Sequence, residues 1–388
     1  MAELVLALNS GSSSLKFALY EYSGEFGQRA GEGAIERIGQ SVGRLWWRAN
    51  NANIDRNAVF PDHSGALRAL LDCFQELGLQ QLAAIGHRVV SGGPELREHC
   101  IIDAQVLQIL RASLRFAPLH LPAEIAVMEA ASKHWPQTPQ FACFDTAFHR
   151  SIPELAARYS LPRNLWQEGI RKYGFHGLSY EYICTQIDKS GRSIIAHLGN
   201  GASLAAVRDG VCVDTSMGLS PTGGVVMGTR CGDLDPGVLL FLLEEKGYTA
   251  NQLERVLNHL SGLLGLSGTS GDMQVLLAAR DKEPHAAFAI DAFAYSVRKM
   301  IGSFLAVLGG ADRLIFTGGI GEHAALVREL ICMPLASLGF VLDRAANQAG
   351  QRRISQPDSP TEILCIPTDE DRMIAAHSYH LLHQSSAA

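Results

Sequence analysis

Leu4-Val5-Leu6-Ala7-Leu8-Asn9-Ser10-Gly11-Ser12-Ser13-Ser14-Leu15-Lys16-Phe17-Ala18-Leu19-Tyr20 reads as an apolar strand, a Gly/Ser turn and a second strand. The same order returns at Ile194-Ile195-Ala196-His197-Leu198-Gly199-Asn200-Gly201-Ala202-Ser203-Leu204-Ala205-Ala206-Val207. Ala7/Ala196, Ser14/Ser203 and Leu15/Leu204 coincide when the stretches are aligned, so what repeats is mainly the succession of strand, small polar turn and strand. Two such hairpins predict two related domains facing each other. Small residues in the turns let backbone N–H groups and hydroxyls approach an anion closely. A single hairpin of this kind is equally well explained as a tight turn. Its recurrence, with Lys16 in one copy and His197 in the other, points to a cleft holding phosphate from both sides.

Strand-like runs at 4–8, 15–20, 82–90, 139–144, 194–198, 203–207, 313–317 and 362–367 alternate with helical patterns near 64–77, 123–134, 236–246, 250–259, 285–308 and 322–337. The alternation predicts α/β layers with mixed sheets. Leu15, Phe17 and Leu19 fall on one face of the second strand and Lys16, Ala18 and Tyr20 on the other, which suggests a strand with one covered face. A fainter repeat pairs Ala84-Ile85-Gly86-His87-Arg88-Val89-Val90-Ser91-Gly92-Gly93 with Leu314-Ile315-Phe316-Thr317-Gly318-Gly319-Ile320-Gly321. Each is a strand opening into glycines, the place where open α/β sheets bind ligands. The domain boundary is expected near Thr146.

At 388 residues, 47% hydrophobic and 19% charged, the chain can bury a large core and divide into two domains. A net charge of -6 without a polybasic block argues against nucleic acid or an anionic membrane as partner. The eight cysteines are scattered, with no Cys-x-x-Cys pair, which disfavours a disulfide framework or zinc site and fits the cytoplasm. No secretory signal is expected, since Met1-Ala2-Glu3 leads into a strand without a basic region or long apolar stretch, and Asp291, Arg298 and Lys299 predict a core helix rather than a membrane span from Ala286 to Leu308.

Gly86-His87-Arg88-Val89-Val90, Phe144-Asp145-Thr146-Ala147-Phe148-His149, Tyr173-Gly174-Phe175-His176-Gly177, Met227-Gly228-Thr229-Arg230-Cys231-Gly232-Asp233 and Pro367-Thr368-Asp369-Glu370-Asp371 concentrate ionisable groups beside turns. Phosphoryl transfer spreads negative charge over three equatorial oxygens, for which arginine forks and a metal ion are natural stabilisers. Asp145 and Glu370 are candidates to hold Mg²⁺ directly or through water. Taken singly, each group also fits a surface ion pair or a solvated turn.

Together with Asn9-Ser10-Gly11-Ser12-Ser13-Ser14-Leu15-Lys16, Ala117-Pro118-Leu119-His120, His197-Leu198-Gly199-Asn200-Gly201 and Phe316-Thr317-Gly318-Gly319-Ile320-Gly321-Glu322, these segments closely resemble, in order, the acetate and propionate kinase family of the actin-like ATPase superfamily. The resemblance runs from residue 9 to about 375. It implies two actin-like (ribonuclease H-like) domains with mixed sheets flanked by helices, one comprising 1–146 plus a returning C-terminal helix at 372–388, the other, binding nucleotide, 147–371. It implies direct transfer between ATP and acetate, giving acetyl phosphate and ADP, in a homodimer.

On matching positions Arg88 and Arg230 would clamp carboxylate and phosphoryl group, with His176 hydrogen-bonding the latter and Asp145 completing the catalytic set. Asn9 and Glu370, with Asp145, would position Mg²⁺, or Mn²⁺ in its place. Val90, Leu119, Phe175 and Pro221 match a methyl pocket. Ser12, Lys16, His197, Gly199, Asn200 and Gly201 would lie near the nucleotide phosphates, and Asp272, Met273, Gln274, Gly319, Ile320, Gly321 and His323 near the base. The chain departs from the family pattern at Ser91, Leu121, Leu178, Tyr180, Gln274, His323 and Asp369. The alternatives are a kinase for propionate or another short-chain carboxylate, a sugar kinase, or a non-enzymatic ATP switch. The last would need a large partner surface, and a sugar kinase a polar pocket with a carboxylate base.

Overall fold

The computed structural model describes residues 2–11, 13–24, 27–49, 52–78, 81–117 and 120–385. It divides into two compact units, one of Met1–Ala147, Gly177–Tyr182 and Asp369–Ala388, the other of Phe148–His176 and Ile183–Thr368.

In the first unit, β1 (Glu3–Ser10), β2 (Ser14–Tyr22), β3 (Gly27–Glu36), β4 (Gly43–Ala49), β5 (Ala52–Ala58), β6 (Ala84–Val89), β7 (Cys100–Ile101) and β8 (Gln140–Phe144) form one sheet. Its order is β5-β4-β3-β2-β1-β6-β8-β7. The first hairpin pairs antiparallel, and β6 joins β1, then β8 joins β6, in parallel. Leu6, Leu8, Leu15, Phe17 and Leu19 pack on Trp47 and on Leu67, Leu70 and Phe74 of the helix His63–Glu76. Each buried side chain of this size stabilises by roughly 1.5–3 kcal/mol.

Val5, Ala7, Ala18 and Tyr20 point the other way, against Leu178 and against Ile374 and Ala375 of the C-terminal helix Glu370–Ser385. The second strand is therefore covered on both faces, not on one, because that helix returns to this sheet; Lys16 alone in the stretch 15–20 is exposed. The strands β3 and β4 escape the sequence pattern because glycine reads as a turn signal, and β5 because Asn53, Asp55 and Asn57 do the same. In the fold Gly33 and Gly31 make room for aromatic rings: a Cβ at Gly33 would stand 2.6 Å from the Phe17 ring and one at Gly31 2.2 Å from Trp47.

In the second unit, β9 (Arg192–Leu198), β10 (Ala202–Arg208), β11 (Val211–Thr215), β12 (Arg313–Thr317) and β13 (Glu362–Cys365) are ordered β11-β10-β9-β12-β13. Three antiparallel strands are followed by two parallel ones, as in β3-β2-β1-β6-β8 of the first unit. Both faint repeats in the sequence thus occupy equivalent strands. This is the duplicated actin-like (ribonuclease H-like) arrangement.

The segment 322–337 is not one helix: the chain forms Gly318–His323, Ala325–Cys332 and a 3₁₀ turn Met333–Leu338. Ala324 leaves helical geometry (φ -97, ψ 79), and Pro334 withholds an N–H from any longer helix. Pro284–Leu308 is a core helix ended by Gly309 at φ 70, and among the described residues no helix is long and apolar enough to cross a membrane.

Candidate active site

Neighbouring strand ends bring charge together in the first unit. Asn9 lies near the end of β1, Arg88 near the end of β6, and Asp145 directly follows β8. Arg88 donates to Asp145 Oδ2 from Nε (3.0 Å) and Nη2 (2.5 Å), and from Nη1 to Asn9 Oδ1 (3.2 Å). The C-terminal helix adds Glu370, whose Oε2 accepts from Asn9 Nδ2 at 3.3 Å and lies 3.9 Å from Arg88 Nε. Asp145 is fully buried, and its Oδ1 has no hydrogen-bond partner. Burial pushes the Asp145 carboxyl up, Arg88 pulls it back and Glu370 raises it again, to about 6. Burial works against the Arg88 charge, but Asp145 and Glu370 raise its affinity for the proton overall.

This donor set fits a hard divalent cation: Glu370 and the unpartnered Asp145 Oδ1 supply oxygens, and a cation would answer the like charge of the two carboxylates. Lys16 pairs across β1 with Asn9 and is exposed. Ser12 and Leu119 lie outside the described residues.

Glu124, which the sequence patterns did not single out, is also buried here. It projects from the helix Leu121–His134, and both its oxygens accept from the Val90 N–H (3.3 and 3.2 Å). Burial raises its carboxyl to about 8, against the pull of Arg88 and of the Val90 hydrogen bond. A capping-type Glu one turn into a helix reads as solvated, so nothing local announces its burial. Leu121, Leu178 and Tyr180 fill the core, and Asp369 takes hydrogen bonds from Tyr20 and Arg29.

The second unit gathers fewer charges and more glycine. His176 stands at φ 61, ψ 26, a left-handed conformation that costs a non-glycine residue about 1–2 kcal/mol. Its Nδ1 lies 2.9 Å from Ser203 Oγ, and its ring stacks on His197 at 4.3 Å. Ser203 is one of the three identities in the hairpin repeat, the sequence signal that could have marked it. A Cβ on Gly201 would come within 3.3 Å of His176 Nε2 and 3.4 Å of Arg230 Nη1, so these two side chains converge on the Gly199-Asn200-Gly201 turn. Arg230 donates to the Pro221 carbonyl at 3.2 Å.

Beside that turn opens a cavity of about 480 Å³ lined by Gly199, Asn200, Asp272, Met273, Gln274, Gly319, Ile320 and His323, among others. Gly321 does not line it: the residue is buried and its carbonyl is occupied by Arg328. Val90 belongs to the first unit, Phe175 and Pro221 to the second.

One further cluster, His99, Glu181 and His377, has the composition of a metal site. The Phe144 N–H donates to His99 Nδ1 at 3.0 Å, so the ring proton sits on Nε2, directed at Glu181 Oε1 3.5 Å away. The lone pair that a metal would need there is taken. Burial pushes the Glu181 carboxyl up, but His377, whose Nε2 lies 2.7 Å from Glu181 Oε2, and the nearby His99 outweigh it and hold the carboxyl well below its ordinary value.

A duplicated actin-like α/β fold, a buried arginine–carboxylate cluster on one sheet and a glycine-framed cavity on the other define a phosphotransferase whose acceptor is a carboxyl group. The pattern that describes the Acetokinase family matches residues 4–376, and the chain belongs to that family. It is 44% identical to an acetate kinase of Rhodopseudomonas palustris, covering 98% of this chain and 99% of that one, and 39% identical to an acetate kinase of Clostridium novyi with the same coverage. Among solved structures it is similar to a propionate kinase from Francisella tularensis (TM-score 0.92, 37% identity, 98% and 100% coverage) and to the Porphyromonas gingivalis acetate kinase (0.87, 35%, 98% and 100%).

Proposed function

We propose that the chain is an acetate kinase that reversibly transfers the γ-phosphoryl group of ATP to acetate, giving acetyl phosphate and ADP. The observation that carries this reading is Arg88: a guanidinium set on Asp145 Oδ2 beside a carboxylate oxygen that lacks a hydrogen-bond partner is suited to hold an anion next to a metal. An oxygen of acetate bonds to the γ-phosphorus while the bond to the bridging oxygen of ADP breaks. Acetate is already ionised, so no protein nucleophile or general base is required.

Arg88 binds the carboxylate, Arg230 the transferring group, and His176 donates a hydrogen bond to it. Mg²⁺, or Mn²⁺ in its place, would be held by Asn9, Asp145 and Glu370 and would neutralise phosphate charge. The phosphates are assigned to Gly199, Asn200 and Gly201, with His197, Lys16 and Ser12, and the base to Asp272, Met273, Gln274, Gly319, Ile320 and His323. Gly321 supports that wall from behind.

The acetate methyl group is assigned to Val90, Leu119, Phe175 and Pro221. One methylene in such a pocket is worth about 1–3 kcal/mol, so propionate reacts more slowly than acetate. The similarity to a propionate kinase makes propionate the second reading. Acyl phosphate formation, trapped with hydroxylamine and measured with acetate, propionate and butyrate over a panel of nucleotide donors, separates the two; no product from any acid would refute both.

The enzyme acts in the cytoplasm, in keeping with eight cysteines that are all free thiols. It works as a homodimer. Val238, Leu240, Phe241 and Leu243 of the helix Pro236–Glu244 are exposed, and that helix has no buried residue, an apolar surface that a second copy would cover. Light scattering should report twice the chain mass and Phe241→Glu should halve it; a monomeric wild type would exclude the dimer.

A further inference from the structure

We propose that His149 is a positioning residue for phosphoryl transfer, fixing the backbone from which His176 projects; this rests on the role given to His176 above. His149 closes the segment Phe144-Asp145-Thr146-Ala147-Phe148-His149, yet none of the assigned roles uses it. It is buried in the 3₁₀ turn Ala147–Ser151. Its Nε2 lies 3.0 Å from the Phe175 carbonyl oxygen. A carbonyl can only accept, so Nε2 carries a proton and donates it. Its Nδ1 lies 3.2 Å from Cys212 Sγ, which is also 3.4 Å from the Asp214 carbonyl. Burial keeps that thiol protonated, so its S–H can face the ring. The backbone also rests on the imidazole itself: a Cβ on Gly174 would stand 2.5 Å from the His149 ring.

The consequence falls on the next residue. His176 holds a left-handed conformation that persists in a non-glycine residue only when its surroundings over-determine it. Ser203 fixes the imidazole of His176, and His149 fixes the peptide that precedes it. Without the hydrogen bond to the Phe175 carbonyl, that peptide is free to rotate and His176 swings away from the phosphoryl group.

His149→Phe keeps the ring and removes the donor; His149→Gln places an amide N–H at a similar reach. Transfer to acetate in His149→Phe should lose about 10–100-fold in kcat with little change in either KM, and His149→Gln should recover most of it. In a His176→Ala background, His149→Phe should cost little more. An unchanged kcat, or equal losses in both backgrounds, would overturn the proposal. Full turnover in His176→Ala alone would instead refute the role given to His176, and the proposal with it. If His149→Phe does not fold, Cys212→Ala takes its place: it should lower kcat only while His176 is present, and an additive loss would again count against the idea.

Discussion

The two units share one wiring and use it for opposite physical ends. In the first, the strand ends carry charge into the interior: Arg88, Asp145 and Glu124 are fully or largely buried and lean on one another. In the second, the corresponding strands end in glycine turns beside a cavity, and the polar groups that meet there hydrogen-bond through rings, hydroxyls and backbone. Duplication therefore transmitted the frame, while the residues at the strand ends decided whether it holds buried charge or open space.

The largest effect should come from breaking the charged side. Arg88→Ala removes an anion donor, for which about 2–4 kcal/mol of transition-state stabilisation is expected, and leaves Asp145 buried without its counter-charge. Both kcat and Tm should fall. Normal turnover in the folded variant would end the assignment of Arg88.

The glycine side should break through space instead. A Cβ on Gly228 would stand 2.1 Å from Asn200 Oδ1, so Gly228→Ala must push aside the Asn200 side chain, which lines the cavity. The expected result is roughly a tenfold higher KM for ATP, on the order of 1.4 kcal/mol, with KM for acetate nearly constant. A change in the acetate KM alone would contradict the division of labour between the units.

The smallest effect sharpens the comparison by pH. Glu124 has its carboxyl raised in the fold from 4.5 to about 8, so it favours the protonated form. Its contribution to stability is complete below the unfolded value and is lost as pH rises through about 8. Glu124→Gln, neutral throughout, should therefore flatten the decline of Tm between about pH 4.5 and pH 8. Parallel Tm curves for the two proteins would show that Glu124 is not held protonated.

Much of this was legible locally. The hairpin repeat, the strands ending in glycine and the segments bearing Arg88, Asp145, His176 and Arg230 all stand in the sequence as patterns. The strand from Gly27 to Glu36 was hidden, since Gly31 and Gly33 serve rings contributed by other strands. Glu124 and Ser203 were hidden for a related reason: a carboxyl on a helix and a serine on a strand gain meaning only from what packs over them.

The amino-acid order by itself determined the duplicated α/β plan and the kind of chemistry, because strand periodicity, turn glycines and motif spacing are properties of neighbours along the chain. Only the tertiary structure decided which face of the first sheet the C-terminal helix covers and that Asp145 Oδ1 is buried without a partner. The same holds for the His149 bond to the carbonyl before His176. Burial and hydrogen-bond partnership are set by groups far apart in sequence, and they control charge and orientation at the site.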